Sequence, residues 1–413
     1  MQTQHRILRA ALKVLGEVGY SGCRIERITD LAGISRPSFY QYFSSKEDLY
    51  RRLTGDVSRA LYAITQDMSP VTADASGRAA LRAWLAAHAD LYEDYWPIFA
   101  SFEAAERSDP VIARGASRVT QRRIGGLLAR IDLDPAWSDR GEILSEILLN
   151  AIERASRYRQ LWLDVQPADA PDRELMIDAL TDILHRALFG PWRASLPVSR
   201  KQRAAGALDP TQPASLRVQS PSPELGTKAR RTRRRLIDVA ATLFKGVGFH
   251  DARVEDIVEA AGVSHGTFYR YFDTKSDIFR VIAEEAAADV IDAWAALPSA
   301  SGMRSRDGTD VLLSWLRRYA EVYADDGVIF RVWIEAFRRD PKLDVLIAAG
   351  LSAIRRRIED FLSPRGFGDD HADSFLLLAL LDLEAGGLVT TRSDAQVLDA
   401  TAKLIHRGFF ALG

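Results

Sequence analysis

The eleven residues at 33–43, GISRPSFYQYF, return later in the chain as GVSHGTFYRYF at 262–272. The offset, 262 − 33 = 229, also pairs identical residues outside the two segments: Arg6 with Arg235, Ala11 with Ala240, and Val18-Gly19 with Val247-Gly248. Arg24, Glu26, Ile28 and Ala32 fall on Arg253, Glu255, Ile257 and Ala261, and Lys46 and Asp48 on Lys275 and Asp277. A chain of 413 residues exceeds the size at which one hydrophobic core keeps growing. The internal duplication therefore predicts two copied units.

Within each unit the local signals are helical. Ile7, Leu8, Ala11, Leu15 and Val18 recur at helical spacing over 4–18, and Gly19 supplies a stop. A second helix over 25–32 ends at Gly33, where a left-handed residue is cheap. Ser35 caps a short third helix with Pro37 in its first turn, and Phe39 and Phe43 anchor it inward. Two short helices at a tight glycine turn, packed on a longer one, make a helix-turn-helix. A fourth helix from Lys46 leads into a body with helices expected at 81–95, 98–107, 111–130, 142–162 and 173–189. The second unit repeats the plan, with head helices near 232–245, 254–261, 264–271 and 275–296. No run alternates as a strand would, so the expected fold class is all-α. The expected division is a head at 1–58, a body at 59–190, a Pro-rich linker at 191–227, a head at 228–287 and a body at 288–413.

Composition sets further bounds. The net charge is −1, so any nucleic-acid affinity must come from local basic surface. One such region precedes the second repeat: Lys228, Arg230, Arg231, Arg233, Arg234 and Arg235. The longest apolar run, 375–381, is far below the ~18 residues of a membrane span. The N-terminus lacks the layout of a signal peptide, and a cytoplasmic protein is expected. The single cysteine, Cys23, excludes an internal disulfide and a cysteine-based metal framework. No HExxH or GxxxxGK[ST] pattern is present. Catalytic residues, metal and cofactor are accordingly assigned as none.

At its two heads the chain resembles the TetR family of bacterial transcriptional regulators, in a tandem single-chain form. The shared motif runs from the turn glycine and Ser through a small hydroxyl to Phe-Tyr-x-Tyr-Phe and x-x-Lys-x-Asp. The resemblance implies a helix-turn-helix head on a ligand-binding and dimerising helical body. Its partners would be a double-stranded DNA operator, with nucleoid association when bound, and a small-molecule effector.

A reading helix presents its exposed N-terminal residues to base edges, and nearby groups hold phosphates. The base-reading candidates are Arg36, Pro37, Ser38 and Gln41 in the first head and His265, Gly266, Thr267 and Arg270 in the second. Matched to the family's pattern, Tyr40, Tyr42, Lys46, Tyr269, Tyr271 and Lys275 are phosphate contacts or their supports. Arg24 and Arg253 join them by recurrence, and the basic cluster as an extended arm along the backbone or in the minor groove. Because the two reading sets differ, pairing of the repeats within one chain predicts an asymmetric or loosely palindromic operator. Dimerisation of whole chains, presenting four heads, is the other arrangement.

In the bodies, the candidate effector pockets are Trp84, Tyr92, Trp96, Phe99, Phe102 and Glu103 in the first and Trp315, Tyr319, Tyr323, Phe330, Trp333 and Phe337 in the second. They imply an apolar or aromatic effector, with repression expected from the family. The last two helices of each body, 142–162 with 173–189 and 372–388 with 395–410, are expected to pair as a four-helix interface. The competing function is a small-molecule-binding or enzymatic helical protein with vestigial DNA-binding heads.

Overall fold

A computed structural model describes residues 2–190, 226–249, 251–303, 307–336, 341–365, 368–381 and 394–410. The linker expected at 191–227 lies outside the described residues up to 225, as do residues 382–388 of the penultimate expected helix. Among the described residues there is no strand, only an isolated bridge between Val71 and Ile131. No described helix is long and apolar enough to cross a membrane.

The first half comprises α1 (Gln2–Gly22), α2 (Ile25–Ala32), α3 (Arg36–Tyr40), α4 (Lys46–Gln66), α5 (Ala75–Asp94), α6 (Trp96–Ser108), α7 (Pro110–Leu128), α8 (Gly141–Val165) and α9 (Arg173–Phe189). The second comprises α10 (Thr227–Val247), α11 (Val254–Ala261), α12 (His265–Tyr269), α13 (Lys275–Ala295), α14 (Ala300–Met303), α15 (Gly308–Ala336), α16 (Pro341–Leu362), α17 (Asp370–Leu381) and α18 (Asp394–Ile405). A single π-helical turn, His406–Phe410, follows α18. The limits of α2, α3 and α4 shifted by 229 give those of α11, α12 and α13. The duplication is therefore structural as well as sequential.

Each head has its own core. Ile7, Ala11, Ile28, Phe39 and Leu53 are buried together in the first, with Ile98 of α6 completing the cluster. Leu236, Ala240, Ile257, Phe268 and Ile282 form the second, completed by Ile329 of α15. Each head is thus packed on its body with an isoleucine at the junction, joined in the first by Leu91, Ala105 and Ile112. Tyr50 strengthens the first junction by donating its hydroxyl to the Ile98 carbonyl at 2.9 Å.

The third core is common to both halves. Leu144, Leu148, Trp162, Ile183 and Leu184 of α8 and α9 are buried with Phe375, Leu377, Leu404 and Ile405 of α17 and α18. Trp162 meets Phe375 edge-on, with ring centroids 4.6 Å apart. Hydrogen bonds cross in both directions: Arg186 Nε donates to the Gly408 carbonyl at 2.9 Å, and Arg407 Nε to the Ala187 carbonyl at 3.0 Å. At the rim Arg140 pairs with Asp399, and Arg355 with Asp169 at 2.9 Å.

Removing a buried tryptophan from such a site leaves a cavity that the neighbours fill only in part. Trp162→Ala is expected to lower the unfolding free energy by about 3–5 kcal/mol, measured by chemical denaturation of the full chain.

Candidate nucleic-acid interface and cavity

Local capping fixes both reading helices. Gly33 sits at φ 62°, ψ 45° and Gly262 at φ 63°, ψ 41°, the left-handed region that lets the chain turn sharply from one short helix to the next. Ser35 Oγ then accepts from the Ser38 N–H at 3.3 Å and lies 3.0 Å from the Ser38 hydroxyl. Ser264 and Thr267 repeat both distances in the second head. Phe39 and Phe268 are fully buried beneath these turns, which sets the opposite face of each helix toward solvent.

On that face Arg36, Pro37 and Gln41 are exposed and Ser38 is half-buried, and His265, Gly266, Arg270 and Thr267 repeat the arrangement. The first residue of each of these helices has an acid beside it. Arg36 pairs with Glu26, and His265 Nε2 lies 3.6 Å from Glu255, the equivalent acid of the second head. Tyr40, Tyr42 and Tyr269 are exposed, Tyr271 half-buried, and Arg24 and Arg253 exposed at the starts of α2 and α11.

The lysines have an inward role. Lys46 Nζ donates to the Tyr20 carbonyl at 3.2 Å and lies over the Tyr20 ring. Lys275 Nζ donates to the Phe249 and Ala252 carbonyls at 2.5 and 2.7 Å. Each ties the start of its long helix to the turn before α2 or α11. They act as internal braces of the head, whichever phosphates approach it.

The basic cluster corrects an expectation. It is the opening turns of α10, which starts at Thr227, and no extended arm is formed over these residues. Lys, Ala and Arg are good helix formers, and nothing in 227–235 breaks the helix. Arg234 is paired with Asp238 and Glu285, both at 2.7 Å, and Arg233 lies over the Phe272 ring at 5.3 Å. Lys228, Arg230 and Arg231 stand exposed on the first two turns.

A cavity of about 500 Å³ opens in the first body between α4, α6, α7 and α8. Of the predicted pocket residues Phe99 and Phe102 line it, and Trp84, Tyr92 and Trp96 do not. Trp84 and Tyr92 are buried; Tyr92 stacks on Phe99 at 4.3 Å and borders a separate small cavity of about 40 Å³. In the second body Trp315 and Tyr319 are buried and stacked at 5.0 Å, packing with Trp294 as core, and Tyr323 extends that row. The side chains of Glu103, Phe330, Trp333 and Phe337 lie outside the described residues. Aromatic residues at helical spacing went mostly to packing because that spacing places them along one buried face.

The lining that sequence reasoning missed is cationic. Arg51 of α4, Arg118, Arg122 and Arg123 of α7, and Arg154 and Arg157 of α8 border the cavity, with Glu106 and Glu153. Arg51 is held by Asp109. Arg123 is 3% exposed; it donates to Glu153 at 2.6 Å and meets His88 Nε2 at 2.6 Å. Because an arginine only donates, His88 Nε2 accepts and the imidazole is neutral. Burial, reinforced by the adjacent guanidinium, drives the His88 pKa well below its usual 6.5.

The capped helix pairs and their exposed N-terminal faces define a helix-turn-helix protein that carries the motif twice. The description "Bacterial regulatory proteins, tetR family" matches residues 7–53 and again residues 236–282. Each half thus carries a head of the tetR family type, so that the chain bears this DNA-binding domain in tandem. It is similar to the uncharacterized HTH-type transcriptional regulator YdgC of Bacillus subtilis, 35% identical over 81 residues, 20% of this chain and 42% of that protein. RutR of Escherichia coli K12 is 38% identical over 71 residues, 16% and 34% of the two chains. The repressor KstR2 of Rhodococcus jostii is 35% identical over 89 residues, 22% and 42%. The chain thus spans less than half the length of these curated relatives.

His88 stays neutral in the folded protein and takes a proton when unfolded, so its contribution to stability is present above pH 6.5 and is lost as pH falls below it. Buried His185, lowered chiefly by burial, adds in the same direction. His88→Gln is expected to reduce the slope of unfolding free energy between pH 6.5 and 5 by up to about 1.4 kcal/mol per pH unit, measured by denaturation at a series of pH values.

Proposed function

We propose that the protein is a sequence-specific DNA-binding transcriptional regulator, a repressor released by a small effector with an apolar or aromatic part. Its two units, divided at about residues 58, 190, 227 and 287, act as a pseudo-dimer within one chain. The observation that carries this reading is the pair of matched frames with unmatched faces. α3 and α12 share their glycine turn, cap and buried phenylalanine, yet present Arg36, Pro37, Ser38 and Gln41 against His265, Gly266, Thr267 and Arg270. Arginine and glutamine have donor geometries suited to guanine and adenine edges. Tyr40, Tyr42, Tyr269, Tyr271, Arg24 and Arg253 flank those faces as phosphate contacts, with Lys46 and Lys275 supporting them from behind. The core common to α8, α9, α17 and α18 supports pairing of the units inside one chain. Further association of whole chains is compatible with it. The protein works in the cytoplasm, on the operator DNA.

The effector reading rests on the cavity's position. Its walls include Val57 and Leu61 of α4, whose N-terminal residues Leu49 and Leu53 belong to the head core, and Asn150 of α8, the helix that builds the common core. A ligand preferring one α4–α8 spacing shifts the population of head separations that fit DNA.

Selection of bound duplexes from a random pool tests the main claim. The expected winner has two unlike half-sites, and a strict palindrome would sink pairing within one chain. Gln41→Ala and Arg270→Ala are expected to cost about 1–3 kcal/mol each and to relax preference in different half-sites. Replacing Lys228, Arg230 and Arg231 by Ala is expected to weaken binding to all sequences alike. The log-log salt slope should then flatten by about 0.9 for each phosphate that is no longer neutralised, read from titrations at several salt concentrations.

A further inference from the structure

We infer that the first-body cavity takes a small amphipathic anion, whose carboxylate, sulfonate or phosphate group is received by Arg123 while its apolar part lies against Phe99 and Phe102. This rests on the effector reading above and specifies the chemistry of that same site. Among the described lining residues six are arginines and two glutamates, with Arg51 paired to Asp109 and Arg123 to Glu153, a cationic lining that favours negative charge. Most informative is Arg123, because it is buried. A guanidinium taken out of water needs its donors satisfied. Here one edge is held by Glu153 and His88, and the buried Nε has no hydrogen-bond partner among the described residues. Glu153 offsets the charge of Arg123, and His88, being neutral, offsets none of it. An anionic oxygen reaching Nε would complete the set in a site already shielded from solvent, where such a bond is strong.

The surroundings fit such a ligand. Thr120 and Asn150 line the same cavity and offer hydrogen-bond donors, and exposed Arg118 and Arg122 stand at its rim to attract anions. Phe99 and Phe102 supply apolar walls. A volume of about 500 Å³ is within the ordinary range for small-molecule sites.

The test uses two fluorescent probes that differ by one anionic group, 1-anilinonaphthalene-8-sulfonate and neutral N-phenyl-1-naphthylamine, titrated into the full chain. The sulfonate is expected to bind about tenfold more tightly than the neutral probe. Arg123→Met should abolish that preference and leave affinity for the neutral probe unchanged. Because Arg123 is buried, the exposed pair Arg118→Gln/Arg122→Gln is measured beside it, and should reduce sulfonate affinity several-fold at low salt and little at high salt. Equal affinity of the wild type for both probes, or a preference untouched by either variant, overturns the anionic ligand and leaves the effector reading standing. Failure of both probes to bind the wild type overturns both.

Discussion

Helix α17 dictates the arrangement of this molecule. From Ala372 to Leu381 all ten of its residues are buried, so it has no face to give to water. A helix that is apolar all round must be enclosed. α16 from its own half and α8 and α9 from the other half enclose it. Neither half closes this core alone, and the two bodies are joined by the hydrophobic effect over a continuous surface. Buried polar groups also fix the packing of α17 within its own half. Buried Arg365 pairs with Asp373 at 2.7 Å, and burial nevertheless pushes the Asp373 carboxyl up to about 6. Such groups tolerate few alternative packings, since a slip leaves a charge unpaired.

That core gives the heads a fixed reference. α4 belongs to the first head at its N-terminal end and to the cavity wall at its middle, and α8 belongs to the cavity wall and to the common core. The cavity is thus walled by one helix shared with the head and one shared with the common core. Close-packed interiors transmit displacement instead of absorbing it.

The heads were legible in the sequence because their determinants are local. A left-handed glycine, a serine cap three residues before a backbone N–H, and phenylalanines four apart are each read within a few positions, at Gly33, Ser35, Phe39 and Phe43. The pairing of the last helices followed from their broad apolar faces. The cavity's chemistry was not legible, because Arg51, Arg123 and Arg157 lie on three helices and converge only through packing. Any one of them, met along the chain, is an ordinary solvated arginine. The aromatic residues drew attention instead, and Trp84, Trp315 and Tyr319 turned out to be core. The start of α10 was misjudged for the opposite reason. Lys228 to Arg231 offer no apolar periodicity, yet their intrinsic propensity and continuity with Leu236 and Ile237 keep them helical.

Duplication within one chain changes what selection can alter. In a homodimer every substitution appears on both sides of the two-fold axis, so the two reading helices are identical and the partner DNA is bound symmetrically. Here the 229-residue offset preserves the buried and capping residues of α3 and α12, whose loss would unfold a head, while the four candidate base-reading positions all differ. The acids behind them are retained as Glu26 and Glu255, so Arg36 and His265 meet the same neighbour with different reach and charge. A shared frame and a divergent face are what physical constraint predicts when stability holds the buried and capping residues of each head and leaves its exposed positions free to differ.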